Sequence, residues 1–515
     1  MARANNASNP SPLPRQEPNQ STVKVYLVGS GIASLAAAVF MIRDGDIPGC
    51  NITILEELDV IGGSLDGSGA PEQGYVLRGG RMLESKYLST FELFSSIPTL
   101  DNSKTVTQEI FAWNETLKTS SKSRLVQDGH RQTAPKFGLS EKHILTIERL
   151  ALEPEAMLGR TSIADQFDPT FFETDFWFMW CTTFAFQPWH SAVEFKRYLV
   201  RFAHMVAGFD RLQGIMRTVY NQYDSMVRPL QRWLDERGVR FEFNTRVTDL
   251  GLSDHDGKKT VKRIDFELDG RSGEIAVGAN DFVLVTLGSM TEASSLGSMD
   301  VAPVLNCKEN VGAWTLWEKI ALDRPEFGRP SAFADHVDES KWVSFTTTLH
   351  DPTFLRIVRD FTGNVAGEGG LITFPQSNWL ASIVIPHQPH FIGQPDDVSV
   401  FWGYGLSVDE PGNFIQKPMS ACTGREIMTE VLGHLRIEAE VSMILETSIC
   451  IPCLMPFITS QFLWEICYEE APVPKPSEWG DSSDRPYFIV SFLDLNPRLQ
   501  TGRGFSRFFG HRLAP

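Results

Sequence analysis

The apolar positions of this chain fall into short strand-length runs closed by glycine or acid, and into one dense aromatic stretch. Val23 to Leu27 predicts a strand, Gly29-Ser30-Gly31-Ile32-Ala33-Ser34 breaks it, and an apolar helix follows. Asn51 to Leu55 predicts a second strand and runs into Glu56. Strand, glycine turn, helix and strand in that order form a βαβ unit for a dinucleotide. Gly29 allows the tight turn, and Gly31 lets backbone approach a pyrophosphate at the positive end of the helix. Glu56 lies 27 residues beyond Gly29, where a carboxylate accepts hydrogen bonds from an adenosine ribose. Ser34 stands where a third Gly or Ala is usual, a small change.

The next runs extend the pattern. Glu57 follows Glu56, and then come Ile61-Gly62-Gly63-Ser64-Leu65-Asp66 and Arg78-Gly79-Gly80-Arg81. Gly238 to Val247 and Phe282 to Ser289 predict later strands. These four segments, in this order, resemble the FAD domains of the glutathione-reductase and amine-oxidase type. The resemblance implies FAD, with Gly29, Gly31, Ser34, Glu56, Glu57, Gly62, Gly63, Ser64, Arg81, Val247 and Ser289 along it. The implied fold is α/β: a discontinuous Rossmann-like FAD domain with an inserted α+β substrate lobe. Its expected pieces are 23–98, 229–299 and 445–497, with the lobe at 99–228 and 300–444. Residues 1–22, rich in Pro, Asn and Ser, predict a disordered tail without the apolar core of a secretory signal.

Longer blocks narrow the resemblance. Tyr26 to Leu35, Ile54 to Asp59, Thr182 to His190, Tyr220 to Ser225, Gly288 to Thr291, His387 to Phe391 and Met455 to Phe462 are similar to the oleate hydratases, once called myosin-cross-reactive antigens. That family adds water to a cis double bond of a long-chain unsaturated fatty acid, with FAD and without net redox. The resemblance places the proton donor on Tyr198. In most members the flavin-side loop reads Arg-Gly-Gly-Arg-Glu-Met-Glu, and its first Glu activates the water. Here it reads Arg78-Gly79-Gly80-Arg81-Met82-Leu83-Glu84, so a thioether, which is no base, replaces that carboxylate. Either the water is held by backbone and a cofactor-ordered loop, or Glu84 reaches in. Many members carry Thr-x-Asn-Arg-Gln-Pro near the substrate carboxylate; this chain has Val384-Ile385-Pro386-His387-Gln388-Pro389, leaving His387 and Gln388 as donors. After Leu463 the family's Gly-Gln-Phe loop and closing helix are absent, and 498–515 is a divergent basic tail.

The aromatic stretch from Phe167 to Trp189 suits an acyl chain, because each buried CH₂ contributes about 0.8 kcal/mol. Trp189 and His190 are its candidate substrate contacts. The apolar run Phe176 to Val193 has the length of a membrane span but carries Gln187, Pro188 and His190, so it predicts burial inside the protein. At 515 residues and 42% hydrophobic, the chain can bury two lobes. A net charge of −17 argues against a nucleic-acid partner. Seven scattered cysteines predict a reducing, cytoplasmic setting, and Cys450-Ile451-Pro452-Cys453 predicts buried free thiols. No metal is expected, and a peripheral membrane contact would serve to collect substrate; monomer and homodimer both stay open. Two other classes stay open as well: an amine-oxidase-like flavin oxidoreductase, whose bound flavin would bleach under substrate, and a fatty-acid-binding homologue impaired by Met82 and the divergent C-terminus.

Overall fold

The computed structural model describes residues 23–132, 136–255, 258–287, 289–324, 327–462 and 487–490. The tails expected at 1–22 and 498–515, and Gly288, lie outside them.

The predicted βαβ unit forms: β1 (Val25–Val28), α1 (Ile32–Arg43) and β2 (Ile52–Leu55). β1 pairs in parallel with β2 (Val25 opposite Ile52) and with strand Phe282–Leu287 (Val25 opposite Phe282). Arg240–Glu242 adds in parallel beyond β2, and Tyr487–Val490 adds antiparallel at the other edge. β1 is apolar throughout because both its faces are covered. Val25 and Leu27 face α1, while Tyr26 and Val28 face the cluster of Trp314 and Trp317. The strand expected over 238–247 is broken at Asn244, which takes the left-handed conformation at φ 53°. Thr245–His255 then starts a three-stranded antiparallel sheet.

A second, six-stranded antiparallel sheet has the order Ser295–Leu296, Ser448–Met455, Trp342–Leu349, Ser399–Gly405, Ser382–Val384, Leu371–Thr373. It separates two cores. Leu371, Val384, Val400 and Trp402 meet the aromatic stretch, and Val343, Ile372, Ile383 and Phe401 meet a layer that includes Ile427 and Val431. The partition of the chain thus differs from the one expected at three places. Ser295–Leu296 and Ser448–Met455, assigned to the first unit by their position in the chain, hydrogen-bond in the second sheet. Helix Gly312–Ala321, assigned to the lobe, packs on the first sheet. Strand partners are chosen over hundreds of residues, which chain order does not reveal. Cys450 and Cys453 are buried free thiols on one of these strands, and burial pushes both up to about 12.

Side chains join the two units at one seam. Thr348 Oγ1 accepts from Tyr75 N (2.8 Å) and Thr346 Oγ1 from Leu77 N (2.9 Å). Strand Gly74–Leu77 is thereby fixed across the face of Trp342–Leu349, directly before the Arg78–Arg81 loop. The apolar run 176–193 divides into a helix, a loop and the start of helix Ala192–Phe202. Helix Asp175–Phe184 is capped by Thr174, whose Oγ1 accepts from Trp177 N (3.1 Å), and stops at Ala185 with φ 64°. Among the described residues no helix is long and apolar enough to cross a membrane.

Candidate functional site

At the head of α1 the glycines divide their roles. Gly29 has φ 88°, and a Cβ there would lie 2.9 Å from Thr286 O and Oγ1, so only glycine fits the turn. Gly31 is the N-cap at φ −63°; it offers no side-chain cap, and a Cβ built on it meets nothing within 4 Å. The first turn of α1 is therefore left without a side-chain cap, next to open space over Gly31. Ser34 points inward and donates to Thr286 Oγ1 (3.0 Å), which in turn donates to Val28 O. It binds helix to strand, as the usual small residue does by contact. Gly62 and Gly63 both have positive φ; Gly62 N donates to Ser30 O (3.0 Å), and a Cβ on Gly63 would press on Gly31 Cα at 3.1 Å. Ser64 sits in the same turn.

Glu56 ends β2 and is buried. One carboxylate oxygen accepts from Ser30 N (2.9 Å) and Ser30 Oγ (2.5 Å), the other from Leu58 N (2.9 Å). Burial raises its pKa against those donors. Thr245 N donates to Glu56 O (2.8 Å), which brings strand Thr245–His255 and the buried Val247 beside it. Glu57 turns elsewhere: its oxygens accept from Arg246 Nε (2.7 Å) and Gly312 N (3.0 Å). These bonds tie strand Thr245–His255 and helix Gly312–Ala321 to the end of β2, and they engage the carboxylate assigned above to the cofactor. Ser289 Oγ accepts from Thr291 N at 3.3 Å, shaping the turn after strand Phe282–Leu287. In that turn Glu292 is pushed up to about 8, by burial first and then by the neighbouring Glu57 and Glu56.

The Arg78–Arg81 loop is held at both ends. Arg78 donates to Asp66 Oδ1 (2.8 Å), Thr291 O (2.8 Å) and Gly63 O (2.6 Å). Arg81 N donates to Gln222 Oε1 (3.2 Å), and Gln222 Nε2 donates to Arg81 O (3.1 Å). Between these anchors Gly79 and Gly80 border a pocket closed by Arg217, Gln222, His387, His390 and Trp402. Trp402 lies so close to Gly80 that a Cβ there would stand 2.7 Å from its ring.

Past the loop the chain alternates. Leu83 enters the core under α1, whereas Met82 packs against the aromatic cluster that holds Tyr198. Tyr198 is buried on helix Ala192–Phe202, ringed by Phe186 (5.1 Å), Phe184 (5.3 Å), Phe462 (5.8 Å) and Phe202 (5.9 Å) between centroids. Glu84 is buried too, and its carboxylate meets His204 Nε2 at 3.1 Å. His204 lies in the first turn of the 3₁₀ helix Ala203–Arg211 that continues the Tyr198 helix, so Glu84 ties the loop to that helix.

The four substrate candidates separate. His387 lines the Gly79–Gly80 pocket, its ring edge-on to Trp113 at 4.6 Å, and burial lowers its pKa. Gln388 does not serve there: its amide donates to Val400 O (2.8 Å) and Pro386 O (3.0 Å), and its oxygen accepts from Val400 N (3.0 Å). Backbone takes up both ends of that amide. Trp189 Nε1 donates to Gln187 Oε1 (2.8 Å). His190 is wholly buried and its Nδ1 accepts from Gln187 N (2.9 Å), so its proton sits on Nε2; burial lowers its pKa to about 3. Its ring lies 5.3 Å from Phe462, within the shell around Tyr198 and away from the pocket. Arg217, His390, His204 and Glu292 are additions to the set. His390 lies within the segment His387 to Phe391, whose family likeness marks it, whereas nothing in the sequence around Arg217 does.

Residues 22–475 match the MCRA family. An oleate hydratase of Streptococcus pyogenes serotype M49 (strain NZ131) is 37% identical over 497 residues, covering 94% of this chain and 83% of the relative. A linoleate hydratase of Lactiplantibacillus plantarum is 32% identical over 447 residues, covering 80% and 78%. Among solved structures, cyclohexylamine oxidase from Brevibacterium oxydans IH-35A matches at a TM-score of 0.47 and 12% identity, over 85% of this chain and 89% of that one.

Proposed function

The chain belongs to the MCRA family, and on that premise we propose that it hydrates a cis double bond of a long-chain unsaturated fatty acid. One carbon gains a proton and the other a hydroxyl from water, so no oxidation state changes overall. The observation that carries the reading is that Tyr198 and Met82 share one apolar cluster with Leu77 and Trp402, which line the pocket at the Gly79–Gly80 loop. An acyl chain entering at that pocket would meet apolar side chains that are continuous with the shell of the phenol.

FAD belongs to the same proposal, and the residues present fit it. The uncapped first turn of α1 and the open space over Gly31 suit a pyrophosphate, and Glu56 at the end of β2 suits a ribose. Gly62, Gly63, Ser64, Arg81, Val247 and Ser289 would border it. Bound there, FAD would order the glycine loop and add an electrostatic surface beside the alkene.

Tyr198 is the proton donor in this reading. A phenol is a weak acid, so the step requires the surrounding dry cluster to hold the alkene against it. Met82 provides no base, and Glu84 is engaged by His204. The attacking water is then positioned by loop backbone, which suffices once protonation leaves a cation-like carbon. Incubation with oleate in H₂¹⁸O, with and without FAD and a reductant, followed by mass spectrometry, tests this. A product carrying one ¹⁸O supports it; bound oleate without product favours the second reading, a fatty-acid-binding homologue, which Met82 motivates.

A further inference from the structure

Among the described residues, Arg217 is a cation without a counter-ion. It follows the short strand Ile215–Met216, and Asn114 fixes its backbone by accepting from Arg217 N and donating to Arg217 O, each at 2.8 Å. The side chain lines the pocket beside Gly79 and Gly80. Its Nε is shut off from solvent with no hydrogen-bond partner, and among the described residues its guanidinium makes no hydrogen bond or ion pair. His390 lines the same pocket, and its Nδ1 is likewise enclosed and unpartnered. Asp66, the acid on the wall, is already paired with Arg78 at 2.8 Å. Burial lowers Arg217 only to about 10, so it stays charged at neutral pH. A guanidinium that lines a pocket, with its Nε shut off from water and no acid beside it, is placed to receive an anion.

We propose that Arg217 is the counter-ion of the substrate carboxylate, which enters this pocket while its acyl chain runs past Leu77 and Trp402 toward Tyr198. The inference rests on the hydratase reading. Three observations favour a carboxylate with an apolar tail over a small anion. Leu77 and Trp402 belong both to the pocket and to the cluster around Tyr198, so the polar end adjoins apolar side chains continuous with that cluster. Val384 and Pro386 lack side-chain donors where the family has Thr and Asn, and Gln388 is bound to backbone. A planar guanidinium supplies two parallel donors to a carboxylate, replacing those lost hydrogen bonds with an ion pair. The chain should therefore demand a free acid and discriminate against neutral analogues.

The test uses the full chain with FAD added, as wild type, Arg217→Gln and Arg217→Lys, on oleate and on oleyl alcohol, which has the same chain and double bond without the charge. Arg217→Gln should raise the KM for oleate by about 30-fold or more, with kcat within a few-fold. Its kinetics on oleyl alcohol and its FAD titration should match wild type, and Arg217→Lys should recover most of the oleate preference. An unchanged KM for oleate overturns the proposal. So does an equal loss on both substrates, which marks a structural role, or a selective loss of FAD affinity, which assigns the anion to the cofactor. If Arg217→Gln does not fold, Arg217→Met is read by the same criteria. If wild type hydrates neither compound, oleate binding followed by tryptophan quenching decides: weaker binding in the variant supports Arg217 while refuting the hydratase reading, and equal binding overturns the Arg217 assignment itself.

Discussion

Gly31→Ala separates the fold from the cofactor more cleanly than any other change at the head of α1. Its φ of −63° and ψ of 170° suit any residue, and the new methyl meets no atom within 4 Å. Two small effects on stability oppose one another. Alanine restricts the unfolded chain, which stabilises by about 0.4–1 kcal/mol, and alanine is a poorer N-cap than glycine by roughly 0.5–1 kcal/mol. The net should stay within about 0.5 kcal/mol, a change in Tm of about 2 °C or less without FAD. The methyl would nevertheless occupy the space through which a pyrophosphate reaches the first-turn N–H groups. Each charge-assisted hydrogen bond lost there is worth about 1.5–3 kcal/mol, or roughly 10- to 150-fold in Kd. Flavin fluorescence titration and a thermal melt of FAD-free protein read the two quantities separately. Gly29→Ala is the control with the opposite outcome: its Cβ would stand 2.9 Å from Thr286 at φ 88°, so the FAD-free protein itself should melt lower. Wild-type FAD affinity in Gly31→Ala would refute the assignment of this space to the cofactor.

The other changes address the chemistry. Tyr198→Phe keeps the packed ring and should lower hydration by about 10²–10⁴-fold with FAD content unchanged, as measured by product formation; near-full activity excludes Tyr198 as donor. Met82→Glu should preserve or raise the rate, and Glu84→Gln should have little effect on kcat. A loss in Glu84→Gln as large as that of Tyr198→Phe would instead identify Glu84 as the base. His190 is neutral in the fold, with a pKa near 3, whereas the unfolded chain takes up its proton near 6.5. Its contribution is therefore complete above about pH 6.5 and is lost as pH falls toward 3. His190→Phe should reduce the slope of unfolding free energy against pH by about 1.4 kcal/mol per pH unit in that window, and an unchanged slope in urea titrations would contradict its burial as a neutral ring.

The part of this molecule legible in its sequence is the part governed by neighbours in the chain. Gly29, Gly31 and the apolar run before them specify strand, turn and helix within about twenty residues, and the structure has them in register. Glu56 and Glu57 show where such reading stops. Both are acids after β2, yet Glu56 turns to Ser30 while Glu57 is drawn to Arg246 and to the N-terminus of helix Gly312–Ala321, far along the chain. Gln388 looked like a free amide because the Val400 backbone that saturates it comes from another strand. Arg217 is the converse. Among the described residues its guanidinium has no partner, a property of the packed surroundings that no local motif encodes.

The threonine seam determines how the glycine loop can move. Tyr75 and Leu77 are fastened to Thr348 and Thr346, and Arg81 is fastened to Gln222, so the segment between is a short arm anchored at both ends. Arg78 is itself locked by three acceptors. The segment between, Gly79 and Gly80, is tethered by Arg81 Nη1 donating to Gly79 O (3.1 Å), and a rearrangement there is a crankshaft of two peptide planes that releases that bond. Such a motion turns backbone carbonyls and amides through a large angle while carrying Met82 and the two sheets hardly at all. Whatever enters beside the loop can thus reorient the dipoles facing the alkene without disturbing the distance between the phenol's helix and the nucleotide fold.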